Sequence, residues 1–172
     1  MNELNDLLGA ATSAVEHIYF QLPIAGQAPA YRERVYCYEL YHQLRLRWPQ
    51  GCPFKLNGEV DKAGHKLLRQ VEADKYKPDL LVHIPGDMSG NFAAIEVKPC
   101  TASLNAIRKD LRSLALFSNS VGYQRAIYLV YGNETARAVK RIQRAMTEIG
   151  GTEKIELWLH PGAYIPAALW HQ

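Results

Sequence analysis

The clearest pattern of hydrophobic and polar positions lies in residues 77–99, where two β-prone runs flank a polar stretch. That stretch contains a cluster of turn-forming residues: Pro85, Gly86, Ser89, Gly90 and Asn91. The pattern therefore predicts a β-hairpin. Asp79 and Glu96 lie equally far from its centre, so an antiparallel pairing places them opposite each other, about 4.5–5.5 Å apart between Cβ atoms. Lys98 follows two residues later and returns to the same face of the strand.

The rest of the chain alternates helical and strand patterns. Helices are predicted near residues 3–20 and over 31–48, 105–117 and 135–149, and strands over 54–60, 125–131 and 155–159. Residues 23–30 form a predicted linker, and 65–71 a connecting segment of either type. The near-continuously apolar run 125–131 fits a buried central strand. This order predicts an α/β fold with a mixed sheet covered on both faces, in which Leu81, Phe92 and Ala94 share the face of the two acids.

Length and composition narrow the class of protein. With 172 residues, the chain is expected to form a single domain over 1–172, with a helical extension over about residues 1–30. No window approaches the ~20 consecutive apolar residues of a membrane span, and the first residues carry acids and no basic segment. The three cysteines, Cys37, Cys52 and Cys100, lack metal-ligand spacing. We therefore expect a soluble, cytoplasmic protein without a membrane partner.

The predicted placement of Asp79, Glu96 and Lys98 carries chemical consequences. Two opposed carboxylates destabilise a sheet unless a cation lies between them or one of them is protonated. A divalent metal is the simpler solution, because Mg²⁺ is commonly held by one or two carboxylates together with phosphate oxygens and water. The lysine could then orient or deprotonate a metal-bound water, or neutralise charge that develops on a phosphate.

The segment Pro78-Asp79, followed after a spacer by Glu96-Val97-Lys98, resembles the PD-(D/E)XK motif of the restriction-endonuclease-like nuclease superfamily. The resemblance covers about residues 31–132. It implies a restriction-endonuclease-like core with the order α-β-β-β-α-β and a mixed central sheet flanked by helices. It also implies an Mg²⁺-dependent endonuclease, with Mn²⁺ as a substitute, that acts on nucleic acid and mostly on DNA. Many enzymes of this superfamily pair two copies to cut two strands, so a homodimer is compatible with it, with the opening helix as a candidate interface.

Members of that superfamily commonly add a glutamate from the helix before the first core strand, and the candidate in this chain is Glu39. It lies among apolar and aromatic positions of the predicted helix 31–48, where a buried carboxylate requires a partner such as a metal ion. The alternative is a surface glutamate that faces His42 or Gln43. The resemblance thus implies Asp79, Glu96, Lys98 and Glu39 as catalytic residues, and Asp79, Glu96 and Glu39 as metal ligands.

Charge distribution is more informative than the net charge of +3. The two later helices each combine an apolar stripe with basic residues on other faces. The candidates for contact with nucleic acid are Lys109, Arg112, Arg137, Lys140, Arg141 and Arg144. The alternative is that each helix simply presents a solvated basic face. Tyrosines can also stack on bases, but Tyr36, Tyr38 and Tyr41 are expected to pack in the core.

Several other polar residues have competing interpretations. His65, His83 and Asp87 match no familiar metal site, whereas Glu59 and Asp61 could supply a further acid or belong to a solvated loop. No helix-turn-helix or zinc-finger pattern is present in the sequence. The sequence therefore does not indicate the target sequence, the strandedness of the substrate, or whether the substrate is DNA or RNA.

Two readings compete with the nuclease hypothesis. The chain could be a catalytically silent nucleic-acid-binding or assembly module with the same fold, because a fold does not guarantee its chemistry. Alternatively, the hairpin carboxylates could belong to a structural network of ion pairs with Lys77, Lys98 or Arg125. Affinity for Mg²⁺ or Mn²⁺ separates the metal site from the structural network.

Overall fold

The computed structural model describes residues 3–59, 70, 73 and 75–171. The helices of this part of the chain are α1 (Leu4–Thr12), α2 (His17–Phe20), α3 (Glu33–Arg47), α4 (Leu104–Asn119) and α5 (Thr135–Ile149). The strands are β1 (Leu22–Ile24), β2 (Gln27–Ala30), β3 (Lys55–Gly58), β4 (Leu80–His83), β5 (Asn91–Pro99), β6 (Arg125–Tyr131), β7 (Ile155–His160) and β8 (Ala168–Leu169).

A mixed sheet forms the centre of the fold, in the order β3-β4-β5-β6-β7-β8. Strands β3, β4 and β5 pair antiparallel, β5, β6 and β7 pair parallel, and β8 pairs antiparallel with β7. The α/β class with a mixed sheet flanked by helices is thereby confirmed. Strand β6 is buried except for its first residue, as its apolar sequence predicts for a central strand.

The hairpin of β4 and β5 has the predicted register. Leu80 pairs with Ile95, and Leu81 pairs with Ala94. The same register, continued by one residue, places Asp79 opposite Glu96. A short 3₁₀ turn, Met88–Gly90, closes the hairpin, and the Asp87 side chain accepts a hydrogen bond from the Ser89 N–H. Gly90 is required there, because a Cβ at this position would lie 2.6 Å from Cβ of Ile84.

The prediction for Phe92 is wrong. Its ring packs with Ala93 in the core on the opposite face from Leu81 and Ala94. The cause is a β-bulge: Val82 pairs with Ala93, but His83 pairs with Asn91, so Phe92 is an additional residue on β5. The bulge shifts the alternation of side chains at the turn end of the strand and leaves the Glu96 end unchanged.

Two hydrophobic cores lie on the two faces of the sheet. The α3-side core contains buried side chains of α1, α3 and the sheet, among them Leu8, Leu40, Leu44, Ile95 and Leu129. The α4-side core contains side chains of α4, α5 and the opposite sheet face, among them Leu81, Ala94, Leu111, Ile142 and Leu157. Because Glu96 and Lys98 alternate with Ile95 and Val97, they belong to the α4-side face.

The N-terminal region differs from its prediction. Instead of one helix, the chain forms α1 and α2, and the linker over residues 23–30 contains the small β1–β2 hairpin. The C-terminal segment docks at the break between the helices, where the Ala167 N–H donates to Thr12 Oγ1 (2.7 Å) and the Tyr164 N–H to the Val15 carbonyl (3.1 Å). Apolar side chains of α1 pack inside the α3-side core, so that face of the opening helix is already covered within the chain.

Further features bear on the predictions. Cys37 and Cys100 are buried, Cys52 is partly exposed in the connection between α3 and β3, and all three are free thiols. None of the helices in the described part of the chain has the length and apolar content needed to cross a bilayer. The connecting segment over residues 65–71 lies outside the described residues except for Gln70.

Candidate functional site

Asp79 and Glu96 meet where β4 begins and β5 approaches its end. The register of the hairpin brings the two carboxylates together, and Asp79 Oδ2 accepts a hydrogen bond from the Val97 N–H (2.7 Å). Glu96 is 5% exposed, whereas Asp79 is partly exposed. The sequence prediction that these two residues are neighbours is therefore confirmed in the structure.

The electrostatics of the pair are unfavourable to two anions. Burial raises the pKa of Asp79 to about 6, although the Val97 N–H and Lys98 stabilise its anion. Burial also raises the pKa of Glu96 well above its ordinary value, and the negative charges of Asp79 and Asp110 raise it further. Two close carboxylates with raised pKa values require a proton or a cation.

Lys98 supplies a cation beside this pair and joins elements on both faces of the sheet. Its Nζ donates a hydrogen bond to Glu33 Oε1 of α3 (2.7 Å) and lies 3.2 Å from Asp110 Oδ2 of α4. Burial disfavours its charge, but Asp110 and Glu33 outweigh burial and raise the pKa of Lys98 above its ordinary value. Lys98 is therefore protonated at neutral pH, which suits charge neutralisation and not proton abstraction.

Helix α3 contributes Glu33 to the cluster and not Glu39. Glu39 accepts a hydrogen bond from Gln43 Nε2 (2.6 Å), which is the surface alternative considered for this residue. The two glutamates are six positions apart on the helix, so their side chains point about 120° apart around the helix axis. Because Glu33 faces Lys98, Glu39 points away from it, and the structure does not bring Glu39 together with Asp79 and Glu96.

Three further polar side chains beside the carboxylates escaped the sequence analysis: Asp110, Ser113 and Tyr128. The signal for Asp110 was present, because it occupies the same helical stripe as the buried Ile107, Leu111 and Leu114. Tyr128 could not have been found, because only the parallel register of β5 and β6 places it next to Glu96. The Tyr128 hydroxyl is buried without a hydrogen-bond partner in the part of the chain that the structure describes, whereas a hydrogen bond from Ser113 stabilises the Glu96 anion.

A polar cavity of ≈280 Å³ opens over these residues. Asp79, Glu96 and Asp110 line it, and Glu33 and Glu59 are at its border with a neighbouring cavity. Its basic lining residues are Lys75, Lys77, Lys98 and Lys109. This combination places acids that can bind a cation beside lysines that can attract a phosphate.

The predicted nucleic-acid contacts are distributed unevenly around this cavity. Lys109 lines it, and Arg112, Arg137 and Lys140 are exposed on α4 and α5. The guanidinium of Arg141 donates to the Ala102 carbonyl, and Arg144 pairs with Glu148 (2.9 Å), as does Arg108. Arg137 lies 3.5 Å from Glu134.

The remaining candidates have other partners or positions. His83 Nε2 lies 3.0 Å from Asn57 Oδ1, and Asp87 caps the 3₁₀ turn of the hairpin. Arg125 pairs with Glu156 (2.6 Å), so the suggested network between Arg125 and the hairpin carboxylates is wrong. Glu59 lines the polar cavity, while His65 and Asp61 lie outside the described residues.

No family model, curated protein or solved structure matches this chain. The case for its function consequently depends on the site itself.

The donor atoms of the site decide whether it suits a metal ion. Among the described residues, no group of three or more His, Cys, Asp or Glu side chains has the arrangement of a metal site. The adjacent carboxylates of Asp79 and Glu96 nevertheless fit Mg²⁺, which needs only one or two carboxylates and keeps several waters. The unpaired Tyr128 hydroxyl offers a polar partner for such a water.

Proposed function

We propose that this chain is a metal-dependent nuclease that hydrolyses phosphodiester bonds in nucleic acid, with DNA as the preferred substrate. The observation that carries the proposal is the pairing of Asp79 and Glu96 beside the protonated Lys98, in a cavity that lysines line. Like-charged buried carboxylates cost stability, so a functional role accounts for their proximity better than a structural one.

Each residue of the cluster has a role in this proposal. Asp79 and Glu96 would hold Mg²⁺, which when bound activates water and stabilises negative charge on a phosphate. The Lys98 ammonium attracts the scissile phosphate and retains its proton on Nζ, because Glu33 and Asp110 stabilise the positive charge. Glu33 and Asp110 thus position the ammonium, and the Val97 N–H orients the Asp79 carboxylate.

The order of the elements supports the same proposal. Among the described elements, helix α3, strands β3 to β5, helix α4 and strand β6 follow the α-β-β-β-α-β order of the PD-(D/E)XK superfamily, which the motif around Asp79 and Glu96 resembles. A restriction-endonuclease-like core is therefore the finer fold that we propose for this mixed sheet. The preference for DNA rests on that resemblance alone.

Cleavage of a substrate panel tests the proposal. Supercoiled, linear, single-stranded and branched DNA, together with RNA, are incubated with Mg²⁺ or Mn²⁺ and either the native chain or Asp79→Asn. We expect metal-dependent cleavage by the native chain and a loss of at least about 100-fold in the variant, since the asparagine keeps the hydrogen bond to Val97 but not the charge. Equal cleavage by both proteins would contradict the proposal.

The second candidate function is a catalytically silent nucleic-acid-binding or assembly module. Lys98 favours it, because two carboxylates already engage its ammonium, as in a structural ion-pair cluster. In that case the native chain should bind nucleic acid without cleaving it, and neither Mg²⁺ nor Mn²⁺ should raise its melting temperature. A metal-induced rise that disappears in Asp79→Asn instead supports the metal site.

A further inference from the structure

A second cavity adjoins the acidic cluster and has a different chemical character. Its volume is ≈450 Å³, and it shares Glu33, Glu59 and Asp79 with the polar cavity. Away from this shared border, Cys37, Tyr38, Tyr41 and Leu80 contribute apolar and aromatic surface. We call it the aromatic cavity.

One face of α3 builds the wall of the aromatic cavity. Arg34, Cys37, Tyr38 and Tyr41 follow one another at helical spacing, so they project from the same side of the helix. Tyr41 is partly buried against the α3-side core, which fixes its position. Tyr38 was expected to pack in the core, but it is 67% exposed. Its ring is thus a large aromatic surface at the mouth of a cavity.

The two cavities together match the two chemical parts of a nucleotide. The polar cavity carries lysines and suits the phosphate, while the aromatic cavity offers ring surface and an arginine, both of which stack on bases. Because the cavities share Asp79, the nucleoside attached to a phosphate at the acidic cluster lies within reach of the aromatic cavity. The volume of the aromatic cavity lies within the range of small-ligand sites.

We propose that the aromatic cavity binds an unpaired nucleobase of the strand whose phosphate reaches the acidic cluster. A base stacked inside a duplex cannot enter such a cavity without leaving the stack. The substrate is therefore single-stranded at the cleavage position. This inference rests on the proposed function and deepens it by naming the class of nucleic acid.

Binding measurements on four proteins test this inference. Fluorescence anisotropy in EDTA prevents cleavage and gives Kd values for a labelled single-stranded DNA, an abasic strand of the same length and a blunt duplex. The proteins are the native chain, Tyr38→Ala, Tyr38→Phe and Leu46→Ala. Leu46 is the matched control, because it lies on the same helix, is 66% exposed and does not line the aromatic cavity.

We expect the native chain to bind the single strand more tightly than the duplex. Tyr38→Ala should weaken binding of the single strand roughly 5- to 150-fold, the range of one lost base–aromatic stack. Tyr38→Phe should retain the native Kd, since stacking needs the ring and not the hydroxyl. Leu46→Ala should leave the Kd unchanged, and Tyr38→Ala should not weaken binding of the abasic strand.

Three results would overturn the inference: an unchanged Kd in Tyr38→Ala, an equal loss on the abasic strand, or tighter native binding to the duplex. The cleavage assay with Asp79→Asn separates these failures from failure of the nuclease proposal. If the native chain cleaves a duplex and Tyr38→Ala cleaves it equally well, the inference fails and the nuclease proposal stands. If the native chain neither binds nor cleaves any nucleic acid, both fail.

Discussion

At the scale of single residues, the carboxylates of the site oppose stability. Asp79 is partly buried and Glu96 is almost fully buried, and the charge of Asp79 disfavours a charge on Glu96. Proteins commonly accept such a cost where a function needs it, so removal of a functional charge can stabilise the fold. Removal of either acid should therefore stabilise the fold, whereas removal of one partner of an ordinary structural ion pair should not.

The variants Asp79→Asn and Glu96→Gln should each melt at a higher temperature than the native chain in EDTA at pH 8. The gain should be roughly 2–4 °C for each kcal/mol of repulsion and desolvation that is relieved. Mg²⁺ should raise the melting temperature of the native chain but not of either variant. Differential scanning fluorimetry measures both effects, and a lower melting temperature in EDTA would show that the carboxylates stabilise the fold.

A buried histidine of β7, two strands from β5, predicts the response to acid. His160 is fully buried, and its Nδ1 lies 2.6 Å from the Tyr36 hydroxyl. Burial lowers the pKa of His160 to about 4. The unfolded chain therefore binds more protons at this residue between about pH 6.5 and pH 4, and the stability that neutral His160 provides is lost as the pH falls through that window.

From pH 7 to pH 5, the native chain should lose about 2 kcal/mol more unfolding free energy than His160→Gln, whose amide cannot be protonated. Urea titrations at the two pH values measure this difference. Because both proteins share every other titratable group, identical losses would show that His160 does not control the acid response.

At the scale of elements, helix α3 decides which acid reaches the cluster. The helix starts at Glu33, so its first turn lies beside Lys98, and Glu39 lies on another face. The two glutamates form a matched pair of test positions on one helix. The Glu33 carboxylate pairs with the Lys98 ammonium, whereas the Glu39 carboxylate accepts a hydrogen bond from Gln43.

Glu33→Gln should reduce the rate of cleavage at least tenfold, which corresponds to about 1.4 kcal/mol, because Lys98 loses the shorter of its two ion pairs. Glu39→Gln should leave the rate within about twofold of the native value. Single-turnover assays with Mg²⁺ compare the three proteins. A larger loss of rate in Glu39→Gln than in Glu33→Gln would indicate that Glu39, as the sequence predicted, is the glutamate that acts in the site.

The elements show what sequence patterns can and cannot predict. The strand Arg125–Tyr131 and the helix Thr135–Ile149 appear at their predicted bounds, because a continuous apolar run and a regular helical stripe specify them locally. The bulge at Phe92 depends on pairing with β4, and the choice of Glu33 over Glu39 depends on how α3 packs. Such tertiary effects have no local signal, whereas the turn composition alone was enough to place Asp79 opposite Glu96.

At the scale of the whole molecule, Lys98 links the two layers that cover the sheet. Helices α3 and α4 lie on opposite faces, yet Glu33 and Asp110 meet at one ammonium. The cluster therefore depends on the relative position of both layers. The basic residues of α4 and α5 differ in their position relative to the cluster: Lys109 lines the polar cavity, whereas Lys140 is exposed on α5.

Replacement of Lys109 by glutamine should weaken nucleic-acid binding severalfold and lower the slope of log Kd against log salt concentration by about one. Lys140→Gln removes the same charge outside the polar cavity and should leave both quantities close to the native values. Anisotropy titrations at several salt concentrations give the slopes. Equal effects from the two variants would indicate a diffuse basic surface instead of a phosphate site in the cavity.

The different exposure of the three thiols makes the native chain suitable for site-selective dye attachment. Cys52 is partly exposed, whereas Cys37 and Cys100 are buried, and burial raises the pKa of the Cys37 thiol well above its ordinary value. Since thiolates are the reactive species, a maleimide fluorophore should attach to Cys52 without prior removal of the other cysteines. The label would lie between α3 and β3, the elements that border the aromatic cavity, and could report on ligand entry in real time.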